Sequence, residues 1–301
     1  MGIISKLGNA AKNRKQKKTK DVNKDMSFLD HLEELRWHLM RSFAAIVIIA
    51  IAIFVNVQAF LDKIVLAPTQ ASFPTNRLLC AIRESLCFDT LNVEYIAFTP
   101  YEQFLKSITI SLVAGLIFAF PYFLWEIWRF VKPGLHNHEK KGLKGNVFIM
   151  SLLFFTGVAF AYYVILPFSF QFFSSYQISE AIENKWKIGS VISLVTQVAF
   201  GGGLLFEMPI LVYYLSKMGI ITPQGMRQYR RHAIVVMLIL AAIITPPDWV
   251  TQVLIFIPLA GLYQLSIFIS ASVHRRMAKE EAEERKQEVA KAASEPTEPA
   301  S

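Results

Sequence analysis

Charge is scarce in this sequence, and long stretches have almost none. Charged residues make up 18% of the 301, whereas a soluble domain carries about a quarter. What charge there is collects in a few blocks, which argues against an ordinary soluble fold. Catalytic signatures are missing too. No GxSxG, HExxH or pair of intramembrane aspartates occurs, so nothing supports an intramembrane hydrolase or any other enzyme. No inverted repeat is visible, which weighs against a solute-transporter architecture. Cysteine is limited to Cys80 and Cys87.

Apolar residues fill the gaps. They make up 53% of the chain, with 24 phenylalanines as the commonest aromatic. Six apolar runs stand out, at 42–61, 104–128, 147–172, 190–216, 233–246 and 249–272. About 20 apolar residues cross the ~30 Å hydrocarbon core as a helix. The expected fold is therefore all-α, a polytopic membrane protein with six transmembrane helices. The fifth run is short, spanning about 21 Å at ~1.5 Å per residue. TPPDW (245–249) then turns the chain straight into the sixth, because paired prolines cannot continue a helix. Local thinning of the bilayer accommodates such a pair.

Lysine and arginine set the orientation. The segments 1–42, 129–146, 217–232 and 273–301 hold 25 of the 31 basic residues. Positive loops stay cytoplasmic, so both termini are expected inside. The net charge of +8 is thereby a topology signal, with no nucleic-acid partner implied. Residues 1–25 read as a disordered basic tail, 26–272 as the membrane domain, and 273–301 as a charged tail disordered beyond a fraying helix. The lysine-rich KNRKQKKTK (12–20) is either a patch attracting membrane lipids or a plain solvated tail. No cleaved signal peptide is expected, since the first apolar run starts only after 42 residues and lacks a clean small-residue exit. Cys80 and Cys87 form a C-x6-C pair in the first outer loop, which in an oxidising compartment closes a disulfide or leaves two thiols. No histidine in that loop favours metal binding.

Four stretches carry chemistry or its bland alternative. MSFLDHLEELRWHLMR (26–41) begins with Ser27 and Asp30 spaced as a capping box. Phe28, Leu32, Leu35 and Leu39 form one apolar face, and Asp30, Glu33, Glu34 and Arg36 lie away from it. An amphipathic interfacial helix explains this, but acids on the basic side of the membrane are unusual. PYFLWEIWRFVKPGLHNHEKK (121–141) places Trp125 and Trp128 at headgroup level. Its His136, His138 and Glu139 make only a weak metal signal, lacking a third spaced ligand. TPPDWVTQ (245–252) is the outer turn. FGGGLLFEMP (200–209) puts Glu207 near mid-membrane, where an acid costs about 2.5–3.5 kcal/mol on insertion scales and is functional by default. Gly201–Gly203 remove bulk nearby and let another helix approach; a hydrogen-bonded packing role for Glu207 is the plain alternative.

Together with FTGVAFAYYVILP (155–167), these stretches in this order resemble the TatC family, the multispanning core of the twin-arginine protein translocase, over about residues 27–272. That resemblance implies a receptor binding twin-Arg signal peptides of folded precursor proteins at the cytoplasmic face of a bacterial inner membrane. It implies recruitment of single-span TatA/TatB-type subunits into an oligomeric Tat complex, transport driven by the proton-motive force, and no cofactor. The recognition carboxylates fall on Glu34 and Glu139, with Arg36, Phe130 and the span-two Pro121 beside them. The intramembrane acid falls on Glu207, with Thr245, Asp248 and Gln252 as polar partner-helix positions, and Pro68 as an outer-loop position. His38 departs from the family, which commonly has a basic residue there, and the cysteine-bearing loop is long. An arginine fork is matched by a carboxylate in bidentate fashion, so two acids suit an Arg pair better than a Lys pair. A carboxylate at the depth of Glu207 must find a partner or take a proton. Thr196, Gln197 and Gln252 are internal candidates, and an incoming helix at a groove opened by the glycines is the favoured one. The rival reading is a proton- or ion-coupled small-solute transporter using Glu207.

The topology is testable through the cysteines. A membrane-impermeant thiol reagent applied from outside is expected to label Cys80 and Cys87 only after reduction. Labelling of both without reductant rejects the bridge, and no labelling after reduction rejects the topology.

Overall fold

The computed structural model describes residues 28–83, 87, 93–131, 143–177, 179, 184–244 and 249–294. The apolar runs become helices because hydrocarbon offers the backbone no other hydrogen-bond partner. Helix α1 (Phe28–Val55) joins the amphipathic stretch and the first span without a break. A short helical turn Val57–Phe60, a π-helical turn Leu61–Val65 and a 3-10 turn Ala67–Thr69 then lead outward, the last with Pro68 buried. Strand β1 (Glu94–Ile96) precedes α2 (Glu102–Val131). Helix α3 (Leu143–Phe160) continues through a π-helical turn, Ala161–Ile165, into α4 (Leu166–Ser175). Strand β2 (Lys185–Lys187) opens onto α5 (Ile188–Phe206) and α6 (Met208–Lys217). The last pair is α7 (Arg230–Ile244) and α8 (Trp249–Ser294).

Among the described residues five stretches are long and apolar enough to cross a membrane: 33–55, 102–130, 145–175, 188–217 and 251–287. The remaining run, the fifth, is α7, whose 15 residues reach about 22 Å at ~1.5 Å per residue. It is the short span anticipated above, and the polytopic helical architecture stands. The surface suits lipid: Phe43, Val55, Phe104, Leu211 and Ile257 are all exposed, a pattern water would penalise.

Three features depart from the sequence reading. The 190–216 run is two helices, because Pro209 has no N–H to give Leu205. The chain breaks at Glu207, whose own N–H bonds back to Leu204 at 3.1 Å. Residues 273–294, taken as a tail beyond a fraying helix, continue α8. They are rich in Ala, Glu, Lys and Arg, contain no Gly or Pro, and Arg276 pairs with Glu280 one turn on at 3.0 Å, all of which favour helix. Finally, the helical fold carries one two-stranded parallel pairing, Glu94↔Lys185 through Ile96↔Lys187. It ties the loop before α2 to the loop before α5, with Tyr95 hydroxyl against Thr69 Oγ1 at 2.9 Å. Cys80 and Cys87 are bonded in the same region, Cα–Cα 4.6 Å.

Lipid tails are as apolar as leucine, so helices associate through close packing and polar contacts. Helix α1 lies along α2, α3 along α5, and α6 along α8. A side chain at Gly202 would start 2.6 Å from Ala161 Cβ, and one at Gly157 2.6 Å from the Gly202 carbonyl oxygen. Gly203 faces Phe154, and Gly201 faces Ile244. The three glycines are thus filled by α3 and α7, and they do not open a groove for an incoming helix. Polar pairs lock the rest: Ser216 donates to Ser270 at 2.8 Å and Thr251 to Ser169 at 3.2 Å.

Gly202→Val should therefore lower the melting temperature of the detergent-solubilised protein, overpacking of this kind costing about 1–3 kcal/mol or more. Gly261→Ala is the control, since nothing lies within 4 Å of its added Cβ. Equal melting of all three proteins refutes the packing account.

Candidate functional site

At the end of the bundle where α1 begins, its buried residues are His38 and Ser42, one turn apart, with Glu34 half-buried one turn before. This stripe faces α2. Leu35 and Leu39, placed on the apolar face by the sequence reading, are exposed at 38% and 59%. The amphipathic helix is therefore turned with its polar stripe against protein and its leucines outward. Hydrocarbon and headgroups accept leucine, whereas His and Glu need partners that only another helix supplies.

The partner is Glu126 on α2. Its side chain is 1% exposed, and its carboxylate is hydrogen-bonded to Nδ1 of His38. Tyr122, one turn earlier on α2, donates its hydroxyl to the other oxygen at 2.9 Å. Arg41 Nη1 lies 3.8 Å from that oxygen. A buried carboxylate is tolerable only when paired and hydrogen-bonded, and here it has a histidine, a phenol and a guanidinium. His38 Nε2 points back to Glu34 Oε1 at 3.9 Å, too long for a hydrogen bond but close enough to act as a charge. His38 thus sits between a buried carboxylate and one that is 39% exposed. Phe130 closes the corner, its ring edge-on to His38 at 6.4 Å.

The structure thereby joins Glu34 and Phe130, which the sequence reading had grouped. Arg36 is exposed and makes no ion pair among the described residues. Pro121 sits inside α2, more than a turn before Glu126. Glu139, with His136 and His138, lies outside the described residues, as do Thr245 and Asp248. Sequence reasoning missed Glu126. Its signal was available: an acid within the second apolar run, together with a histidine in place of the usual cation on the neighbouring span.

The second grouping is different. Both carboxylate oxygens of Glu207 are buried and have no hydrogen-bond partner among the described residues. The internal candidates are engaged elsewhere. Gln197 donates to the Ile243 carbonyl at 2.8 Å, satisfying one of the carbonyls left open in the last turn of α7. Gln252 donates to the Leu238 carbonyl at 3.2 Å, and Thr196 to Ile192 at 2.8 Å. Glu207 stands at the α5–α6 break, two residues before Pro209.

Residues 30–258 match the family model described as Sec-independent protein translocase protein (TatC). The TatC of Blattabacterium from Periplaneta americana is 33% identical over 264 residues, covering 85% of this chain and 99% of that protein. The TatC of Aquifex aeolicus is 34% identical over 252 residues, covering 83% and 97%. Among solved structures, a crystal structure of the twin arginine translocase receptor TatC superposes with a TM-score of 0.66 at 33% identity, covering 81% of this chain and 99% of that one. The match takes in α1 with its buried polar stripe, α2 with Glu126, and the broken α5–α6 helix with Glu207, so the whole site lies within it, and the chain belongs to the TatC family of multi-pass Sec-independent protein translocase proteins.

Proposed function

We propose that this chain is the receptor subunit of a twin-arginine translocase in a bacterial inner membrane, with both termini cytoplasmic. It binds signal peptides bearing consecutive arginines at its cytoplasmic face. It then recruits single-span TatA/TatB-type subunits, and the assembly moves folded proteins across the membrane using the proton-motive force. One observation carries the receptor reading: Glu34 is a partly exposed carboxylate held one turn from a buried His38–Glu126 pair, beside Phe130. An arginine needs a fixed carboxylate at an interface of lowered dielectric, and this arrangement supplies one. The solved relatives carry the word receptor in their description. Glu139 is the second carboxylate of the proposal, by its place in HNHEKK.

Glu34→Ala and Glu139→Ala should each weaken binding of a twin-Arg peptide to the purified protein, measured by fluorescence anisotropy. Loss of one charge-assisted partner costs ~1.5–3 kcal/mol, roughly ten- to a hundredfold in affinity. Glu33→Ala should matter less, and a Lys-Lys peptide should bind poorly to all. Equal binding by wild type and both variants would sink the assignment.

The recruitment step is assigned to Glu207, because its unpartnered oxygens can be satisfied by a polar side chain on an incoming helix. The glycines beside it are occupied by α3 and α7, so docking falls at the break itself. Glu207→Gln keeps shape and hydrogen-bonding and should retain much of the transport. Glu207→Leu should lose assembly yet still bind signal peptide. Site-specific crosslinking from position 207 that captures no single-span subunit during transport, or captures a small solute, favours the solute-transporter reading instead.

A further inference from the structure

At the other end of the bundle, away from His38 and Glu126, the first turns of α2 and α5 border an open cavity of about 360 Å³. Glu102 and Lys106 of α2 line it, with Lys187 of β2 and Ser190, Ser193 and Gln197 of α5. Gly189 lets the two helices meet, since a Cβ there would strike the Glu102 carboxylate. The charges do not balance. Glu102, 6% exposed, is fully engaged: Lys187 Nζ lies 3.4 Å from one oxygen, and the Phe98 N–H donates to the other at 3.1 Å. Lys185, which does not line this cavity, is paired with Glu94 at 3.2 Å. Lys106 donates to Ser193 Oγ at 2.6 Å and has no carboxylate within ion-pair distance among the described residues. An ammonium has three donors, so Lys106 keeps further N–H groups beside the cavity. A lysine inside a span with no counter-charge is costly. Helix α5 also begins here with no side-chain cap, and a helix start favours an anion.

A second cavity, about 370 Å³, adjoins the first and shares Lys187, Ser190 and Leu194 with it. Its other walls are formed by Phe170, Phe173, Trp186 and Val191, with Lys185, already paired with Glu94, as a further cation on its lining. A cationic, hydroxyl-lined cavity next to an apolar slot, at the boundary where spans enter the bilayer, matches a molecule with a phosphate and a hydrocarbon chain. We propose that the paired cavities bind one anionic phospholipid of the leaflet opposite the lysine-rich termini. Lys106, Lys187 and Ser190 take the phosphate oxygens, and an acyl chain lies along Phe170 and Trp186. The lipid supplies the charge that Lys106 lacks and joins the outer ends of α2 and α5. This site is independent of the signal-peptide and Glu207 assignments.

Native mass spectrometry of the full chain in detergent, titrated with phosphatidylglycerol, tests the proposal. Wild type should retain one lipid per chain through delipidating washes. Lys106→Gln, which leaves the Lys187–Glu102 pair in place, should bind it at least about tenfold more weakly. Lys63→Gln, an exposed outer-loop lysine remote from both cavities in their lining, should bind as wild type does. Melting of Lys106→Gln close to wild type shows that the fold is kept; if it does not fold, Ser190→Ala, which removes a hydroxyl shared by both cavities, takes its place with weakened lipid binding again expected. Equal retention by wild type and the variant overturns the site. Retention of phosphatidylcholine as tight as phosphatidylglycerol overturns the anionic selectivity. Glycerol 3-phosphate binding as tightly as the lipid shows a soluble phosphate ester to be the ligand and overturns the acyl-chain assignment.

Discussion

Hydrocarbon offers no hydrogen bonds, and every polar group in this molecule is arranged around that fact. The backbone answers with helices. Many Ser and Thr hydroxyls bond back to a carbonyl one turn earlier, and other side chains pair across two helices: Ser216 with Ser270, Thr251 with Ser169, Gln197 and Gln252 with carbonyls of α7. The same demand explains how α7 can stay so short. Glutamines from both neighbouring helices hold its carbonyls, and α8 packs beside it.

Two acids show the rule and its exception. Glu126 is 1% exposed, and it is bound by His38 and Tyr122 with Arg41 nearby. Removing one member would leave a buried charge unpaired, so the cluster stiffens the α1–α2 corner and holds Glu34 at its rim. Glu207 has no such set; among the described residues its oxygens are buried without partners. An orphan of this kind costs stability in the isolated chain. In the function proposed above, it is one half of a contact whose other half arrives with another subunit.

The solvent also reverses a familiar inference. In water the leucine face of 26–41 would be the buried one. Here Leu35 and Leu39 look outward and His38 and Ser42 look inward, because lipid rewards nothing for hiding leucine but penalises exposing an imidazole. Glycine follows the same logic. Gly157, Gly202 and Gly203 bring α3 and α5 into backbone contact, gaining dispersion energy that lipid alone would not distinguish.

Local sequence was enough for the polytopic helical character of the chain and the shortness of the fifth run, because hydropathy acts residue by residue. The ordered motifs were enough for the family. The break at Glu207 was legible in Pro209, and the continuing helix of 273–294 in its composition. Tertiary structure alone decided what those residues touch. That His38 meets Glu126 across 88 positions, that β1 pairs with β2, that the glycines at 201–203 are filled from within, and that Lys106 is left without an acid are outcomes of helix packing. No local pattern encodes them, since the free energy of a buried polar group depends on which neighbour completes its hydrogen bonds, and that neighbour lies far away in the chain.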